Sequence, residues 1–232
     1  SIHMKSNENI HKSHRSRLRK KYVENGIDSF PPHEVLELLL FYSYRQVDTN
    51  EIAHRLLKKF GTLTGVFEAD IQSLTEVEGV GPNTAVFLKL QSDIQRYYMK
   101  EKFSKIKNLQ ITPDNVGEYV QHLFYGYTDE VFYMISLNSD CELISSDILS
   151  RGTVNSIAVY SREVVKKALD TKASFVILAH NHPNGILAPS EADVKTTKIL
   201  NDALSFINVK LIDHVIVARG DSISLLKDYN IL

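Results

Sequence analysis

The sequence predicts a mixed α/β (α+β) protein with an all-helical N-terminal part and a C-terminal part of mixed sheet and helices. Up to about residue 100, apolar residues recur at helical spacing between helix start and stop signals. Beyond residue 113, β-branched runs alternate with helical patterns. A charged stretch at residues 103–112 loses this periodicity and is predicted to be a linker. We therefore expect a helical domain at 5–102 and a second domain at 113–232.

Bulk properties exclude several classes of protein. The 232 residues can bury one substantial core or two small ones, and the net charge of −1 gives no global drive toward nucleic acid. The single cysteine, Cys141, rules out an intrachain disulfide framework and favours a cytoplasmic location. No apolar run is long enough to span a bilayer and no signal peptide is visible, so no membrane partner is expected. Residues 1–4, with Ser1-Ile2-His3 ahead of Met4, resemble a cloning remnant and the start of the chain.

The N-terminal part begins with a basic run at residues 12–21. Lys20 and Lys21 are its candidates for contact with DNA phosphates, and the alternative is a solvated helix face or a flexible arm. Three helices are predicted next. They cover residues 32–41 after a proline, residues 48–60 between an Asp48 cap and the Gly61 stop, and a short stretch near 63–68.

Residues 74–85 read Leu-x-x-Val-x-Gly-Val-Gly-x-x-x-Ala and resemble a helix-hairpin-helix turn. Gly79 and Gly81 allow a tight turn, and the amides there and at the next helix N-terminus can cradle a DNA phosphate. The acids Glu76 and Glu78 weaken the electrostatic case. The alternative is a hairpin that is purely structural or that binds protein, followed by a helix to about residue 99.

The C-terminal part is predicted to alternate between helices and strands. The predicted helices are at 115–123, at 161–169 and after Ser190, and the predicted strands are at 131–137, 142–150, 174–178 and 209–219.

The most informative stretch is residues 179–193, between a buried strand and a helix. His180 and His182 project from the same side of an extended chain, because strand side chains alternate. A turn-rich loop then delivers Ser190 and Asp193 at the start of the helix. His180, His182 and Asp193 make a three-ligand set with an open fourth position, as a catalytic zinc needs. The alternatives are a capping box for Ser190 and Asp193, and histidines that bind backbone carbonyls.

These residues resemble a known motif. His-x-His, seven residues and Ser-x-x-Asp is the pattern of JAMM (MPN+) metalloproteases, and residues 180–185 are similar to the version in bacterial RadC-type proteins (UPF0758). Asn184 departs from the serine usual there. The resemblance covers nearly the whole chain and implies a JAMM/MPN fold with cytidine-deaminase-like layering. Further matches are Gly152-Thr153, Ser161-Arg162-Glu163 and Asp213-His214-Val215-Ile216.

The resemblance also implies roles. One Zn²⁺ per chain, or another divalent ion, would be held by His180, His182 and Asp193. Glu130 would be the general base, with Glu163 as the runner-up, and Ser190 would donate to a developing oxyanion. Asp213 and His214 are expected either to orient a metal ligand or to form a satisfied pair in the core.

The first functional hypothesis is a zinc-dependent hydrolase of the JAMM type, which cleaves an amide or isopeptide bond of an unknown protein or peptide substrate. The family is traditionally labelled DNA repair. The alternatives are a DNA-associated binding module with a structural metal, and a metal-dependent nuclease. Glu130 beside an intact Ser190 favours the first hypothesis, whereas a Glu130 that points away from the metal would favour the binding module.

Overall fold

The structure is a computed structural model that describes residues 2–45, 47–152 and 157–232, with side chains from residue 13 onward except at 46 and 153–159. Its contacts divide the chain into two compact units, residues 1–94 and 95–232. Thr153, part of one motif match, lies outside the described residues. No described helix combines the length and the hydropathy that a bilayer crossing requires.

The first unit is helical, as predicted. Asp48 caps its third helix by accepting a hydrogen bond from the amide of Asn50, and Gly61 ends that helix with a φ of 79°. The short helix at 71–75 is an addition to the predicted set. The helices are α1 (Ile2–Asn25), α2 (Pro32–Leu40), α3 (Thr49–Phe60), α4 (Leu63–Glu68), α5 (Ile71–Thr75) and α6 (Pro82–Ser104).

The core of this unit gathers the apolar faces of α2, α3, α5 and α6. Leu36, Leu56 and Leu88 are fully buried in it. The glycine turn before α6 packs against α3, since a Cβ added to Gly79 would meet Ile52 at 3.0 Å. Gly79 also has a φ of 91°, so the turn requires glycine at this position.

The second unit is a five-stranded mixed sheet with helices packed on it. The strand order is β2-β1-β3-β4-β5, and only the β3–β4 pair is parallel. The strands are β1 (Val131–Leu137), β2 (Leu143–Arg151), β3 (Phe175–Asn181), β4 (Lys210–Ala218) and β5 (Asp221–Ser224). The helices are α7 (Val116–Leu123), α8 (Ile157–Thr171), α9 (Glu191–Ser205) and α10 (Leu225–Tyr229).

The sheet has a separate core on each face, because strand side chains alternate. On one face, Ile135 and Ile177 pack with Val120 of α7. On the other face, Met134 and Leu178 pack with residues of α8 and α9. This layering confirms the predicted mixed α/β class.

Two details differ from the sequence-based expectation. The last strand was predicted to run to residue 219, but β4 ends at Ala218, and Arg219 and Gly220 turn the chain into β5 and α10, which were not predicted. Both turn residues have positive φ, 52° and 74°, and this conformation breaks a strand. In addition, α8 begins at Ile157, four residues before its predicted start at 161.

The predicted linker contributes to the second unit. Phe103, Leu109 and Ile111 pack in or against the core that contains α7. The division between the units falls inside α6, between Ile94 and Gln95. The predicted domains end at 102 and begin at 113, whereas the compact units meet between residues 94 and 95.

Candidate metal centre

His180, His182 and Asp193 converge at one end of the sheet. His180 lies at the end of β3 on the face that packs on α8 and α9, and His182 follows it on the same side. The loop after His182 then places Asp193 in the first turn of α9. Among the described residues this is the group of histidine, cysteine and acidic side chains that could hold a metal ion.

The spacing of the three groups fits a metal ion. The two histidine Nε2 atoms lie 2.9 Å apart. The Nε2 of His180 lies 3.2 Å from Oδ1 of Asp193, and the Nε2 of His182 lies 3.3 Å from Oδ2. A tetrahedral zinc with bonds of about 2.0–2.1 Å separates its ligands by roughly 3.3 Å. Each imidazole thus lies near this spacing from the other imidazole and from one of the two oxygens of the Asp193 carboxylate.

A buried hydrogen-bond chain fixes the proton on His180. The Thr197 hydroxyl donates to the Asp193 carbonyl at 2.6 Å, so it must accept from Nδ1 of His214 at 2.6 Å. The other nitrogen of His214, Nε2, lies 2.8 Å from Nδ1 of His180. Burial lowers the pKa of His214 well below its ordinary value, so His214 is neutral and its Nε2 accepts. His180 therefore carries its proton on Nδ1 and directs a lone pair from Nε2 into the site.

The same reasoning applies to His182. Its Nδ1 lies 2.8 Å from the carbonyl oxygen of Ile186, which can only accept, so Nδ1 carries the proton. With both rings in the neutral form, two Nε2 lone pairs therefore face each other. This arrangement is repulsive alone and becomes favourable around a cation, so the donor set fits a divalent metal ion.

Asp193 completes the set as an ionised carboxylate. Burial alone would raise its pKa, but the hydrogen bonds from Ser190 lower it, and the pKa lies below its ordinary value. The backbone amide and the hydroxyl of Ser190 both donate to Oδ2 at 2.7 Å. The hydroxyl also accepts from the Asp193 amide, so Ser190 and Asp193 form the capping box of α9.

The three groups line a cleft of about 430 Å³ in the second unit. Glu130, the residue before β1, lines the same cleft, as does Ser190. Glu163, the alternative base, lies on α8 and is absent from the described lining residues. Apolar side chains, among them Phe132, Tyr160 and Ile186, line the rest of the cleft.

Asp213 and His214, which were expected to act together, have different partners in the structure. His214 contacts His180, whereas Asp213 accepts hydrogen bonds from the hydroxyl of Ser224 and the amide of Leu226. Neighbouring residues of a strand face opposite sides, so both could not reach the metal site. Asp213 instead ties β4 to β5 and α10.

Two residues of the centre were missed in the sequence. Thr197 lies one helical turn after Asp193, on the same face of α9, and that spacing could have indicated it. Asn181 lies between the two histidines, and a buried amide in an apolar strand is itself a signal, because such groups need partners.

The candidate DNA contacts lie in the first unit. Gly79 and Gly81 line a cleft of about 520 Å³ together with Tyr44 and the start of α6. Lys20 is exposed and lies 3.7 Å from Glu24 on α1, and Lys21 is paired with Glu34 of α2. Among the described residues, Lys21 is therefore in an ion pair with another helix of its unit, whereas Lys20 remains at the surface.

Fold and site define a JAMM-type domain with a helical region before it. The sequence model of the RadC-like JAB domain matches residues 111–230. A UPF0758 protein of Fusobacterium nucleatum is 36% identical over 228 residues, 95% of this chain and 98% of that protein. UPF0758 proteins of Photobacterium profundum and Aliivibrio fischeri are 32% and 33% identical and cover 90% of this chain and 93% of their own lengths. The chain belongs to the RadC family.

Proposed function

We propose that this protein is a zinc-dependent hydrolase of the JAMM type, which cleaves an amide or isopeptide bond in a protein or peptide. The observation that carries the proposal is the position of Glu130. It lines the same cleft as the two imidazoles and the carboxylate that could hold a metal ion. A structural metal site needs no free carboxylate beside it, whereas hydrolysis needs a base.

His180, His182 and Asp193 would hold the ion through one atom each and leave a fourth position open to solvent in the cleft. When bound, a zinc ion supplies Lewis-acid chemistry and lowers the pKa of a coordinated water to about 7. Imidazole and carboxylate ligands accept several divalent ions, and two histidines with one carboxylate and an open position are a ligand set typical of catalytic zinc.

Glu130 would take the proton from the attacking water and pass it to the leaving amine. This role needs a carboxylate at the cleft, and Glu130 is one of the described lining residues whereas Glu163 is not. Ser190 donates to Asp193 in this structure, and rotation of its hydroxyl would direct the same proton to the oxygen of the attacked carbonyl. Its backbone amide would keep Asp193 in place during that rotation.

Glu130→Gln tests this proposal, with Glu163→Gln as the matched control. The zinc-loaded chains are incubated with a pool of fluorescence-quenched peptides that includes lysine isopeptides, and metal content is measured in parallel. We expect Glu130→Gln to keep one zinc per chain and to lose about 10²–10⁴-fold in rate, the usual contribution of a general base. Glu163→Gln should match the parent chain. Equal rates for Glu130→Gln and the parent would contradict the proposal.

A further inference from the structure

Asn181, the residue between the two histidines, has a contact pattern that the metal site alone does not explain. It is 6% exposed, and its side chain leaves β3 on the face opposite to His180 and His182. Its amide nitrogen donates to the carbonyl oxygen of Asp129 at 2.9 Å. Its amide oxygen accepts from the backbone N–H of Val131 at 2.7 Å. The two bonds therefore hold the peptide groups on either side of Glu130.

The amide of Asn181 takes the place of backbone pairing at this end of the sheet. β1 and β3 pair in antiparallel register up to Phe132 and His180. One residue further on, the side chain of Asn181 accepts the Val131 amide that a strand neighbour would otherwise accept. Only a side chain with both a donor and an acceptor at this reach satisfies the two backbone groups at once.

The other neighbour of β1 holds the same segment. The backbone N–H of Gly152, just after β2, donates to the carbonyl oxygen of Glu130 at 2.8 Å. Gly152 has a φ of 78°, which explains a glycine at this position. Arg151 also donates to the Asp129 carboxylate at 2.8 Å. Glu130, which lines the cleft, is thus held through its backbone from both sides.

We propose that Asn181 is a positioning residue that holds Glu130 at a fixed place relative to the metal ligands. The end of β3 then provides His180 and His182 as ligands and Asn181 as the residue that positions the general base. His180 and His182 lie on one side of β3, and Asn181 lies on the other. A displacement of this strand end would therefore move the ligands and Glu130 together. This inference rests on the proposed function, because it assigns Asn181 its catalytic effect through Glu130.

Asn181→Leu tests the inference, since leucine has a similar size and cannot hydrogen-bond. Asn181→Ala serves as a second variant if the first does not fold. Tyr119→Phe is the matched control, because it removes one buried hydrogen bond of the same unit, to Ser146, away from the cleft. All chains are loaded with zinc and assayed on the same peptide pool.

We expect Asn181→Leu to keep one zinc per chain and its KM and to lose about 10²-fold in kcat, the cost of a base misplaced by about 1 Å. Combined with Glu130→Gln, it should cause no further loss, because a residue that acts only through Glu130 has nothing left to position. A double variant whose loss is the product of the two single losses would overturn the inference. Tyr119→Phe should change neither constant.

Hydrogen exchange of the metal-free chain gives a readout that needs no hydrolysis. The Val131 amide should exchange faster in Asn181→Leu than in the parent, while the Ser136 amide, near the other end of β1, should not change. Unchanged Val131 protection would overturn the inference whatever the rates are. Lost Val131 protection in a chain whose turnover is unaffected by Glu130→Gln would refute the proposed function instead, and with it the catalytic role of Asn181.

Discussion

The metal centre of the second unit and the glycine turn of the first were both singled out in the sequence, and they differ in how their polar groups are satisfied. At the candidate metal centre, two imidazole Nε2 atoms lie 2.9 Å apart and both face the Asp193 carboxylate. Beside the glycine turn, Glu76 pairs with Lys59 at 2.6 Å, and Glu78 lies 3.8 Å from Arg55. Two imidazoles and a carboxylate grouped in this way fit a cation, whereas the paired charges beside the glycine turn need no further partner.

The basic run on α1 resembles the glycine turn, because charged side chains of the run also have partners within the first unit. Arg15 is buried, and its guanidinium donates to the carbonyls of Tyr44 and Val47. Lys21 pairs with Glu34. Several of the charges that indicated phosphate contact therefore stabilise the helical unit, and those that remain exposed can contribute only a modest electrostatic attraction.

The largest effect is expected from removing the two imidazoles of the candidate metal centre. His180→Ala combined with His182→Ala leaves Asp193 as the only ligand, so zinc should fall from one to none per chain after dialysis. Elemental analysis measures this loss. His33→Ala, which removes a histidine stacked on His54 in the first unit, should keep its zinc. If the double variant retained one zinc per chain, the two histidines would not be metal ligands, and the proposed difference between the two regions would be contradicted.

Thr197→Val tests the hydrogen-bond chain behind the metal ligands. It removes the hydroxyl that accepts from Nδ1 of His214, so His214 no longer needs to accept from Nδ1 of His180. Zinc affinity should therefore fall about 10–100-fold. Competition with a chelator measures the affinity. Thr171→Val is the matched control, because Thr171 also donates to the carbonyl four residues before it but lies outside the cleft. An equal loss in both variants would show that Thr197 acts only on helix stability.

His122 is a buried histidine outside the candidate metal centre. It packs between Phe103 and Tyr119, and burial lowers its pKa to about 4. A lowered folded-state pKa gives stability that is complete above about pH 6.5 and is lost as pH falls toward 4. The free energy of unfolding should fall less between pH 7 and pH 4.5 in His122→Phe than in the parent. The difference should be on the order of 1–2 kcal/mol, after allowance for solvent screening. Urea unfolding of metal-free chains at pH 7 and pH 4.5 measures it, and parallel pH profiles would contradict it.

The smallest effect concerns DNA. We expect weak, sequence-independent binding by the first unit, and Lys20→Ala with Lys21→Ala should reduce the slope of log affinity against log salt by about 1–2. Lys195→Ala with Lys198→Ala, which removes the same charge from α9, should leave the slope unchanged. Equal retention of the parent on a DNA column at low and high salt would remove DNA as a partner of this unit.

The sequence predicted the convergence of the metal centre because that convergence depends on local rules. Alternation placed His180 and His182 on one side, and the Ser190 capping signal located the start of the helix that carries Asp193. The hydrogen bonds of Asn181 and Thr197 join residues of different elements, and local patterns do not show such partners. The pairing of Asp213 with Ser224 could not be predicted either, because β5 itself was missed.

Diffraction from crystals soaked in zinc, with data collected at the zinc absorption edge, tests the central claim most directly. The account predicts one anomalous peak per chain, at roughly 2.0–2.2 Å from Nε2 of His180, Nε2 of His182 and a carboxylate oxygen of Asp193. A peak elsewhere, coordination through Nδ1 of either histidine, or no peak at saturating zinc would contradict it.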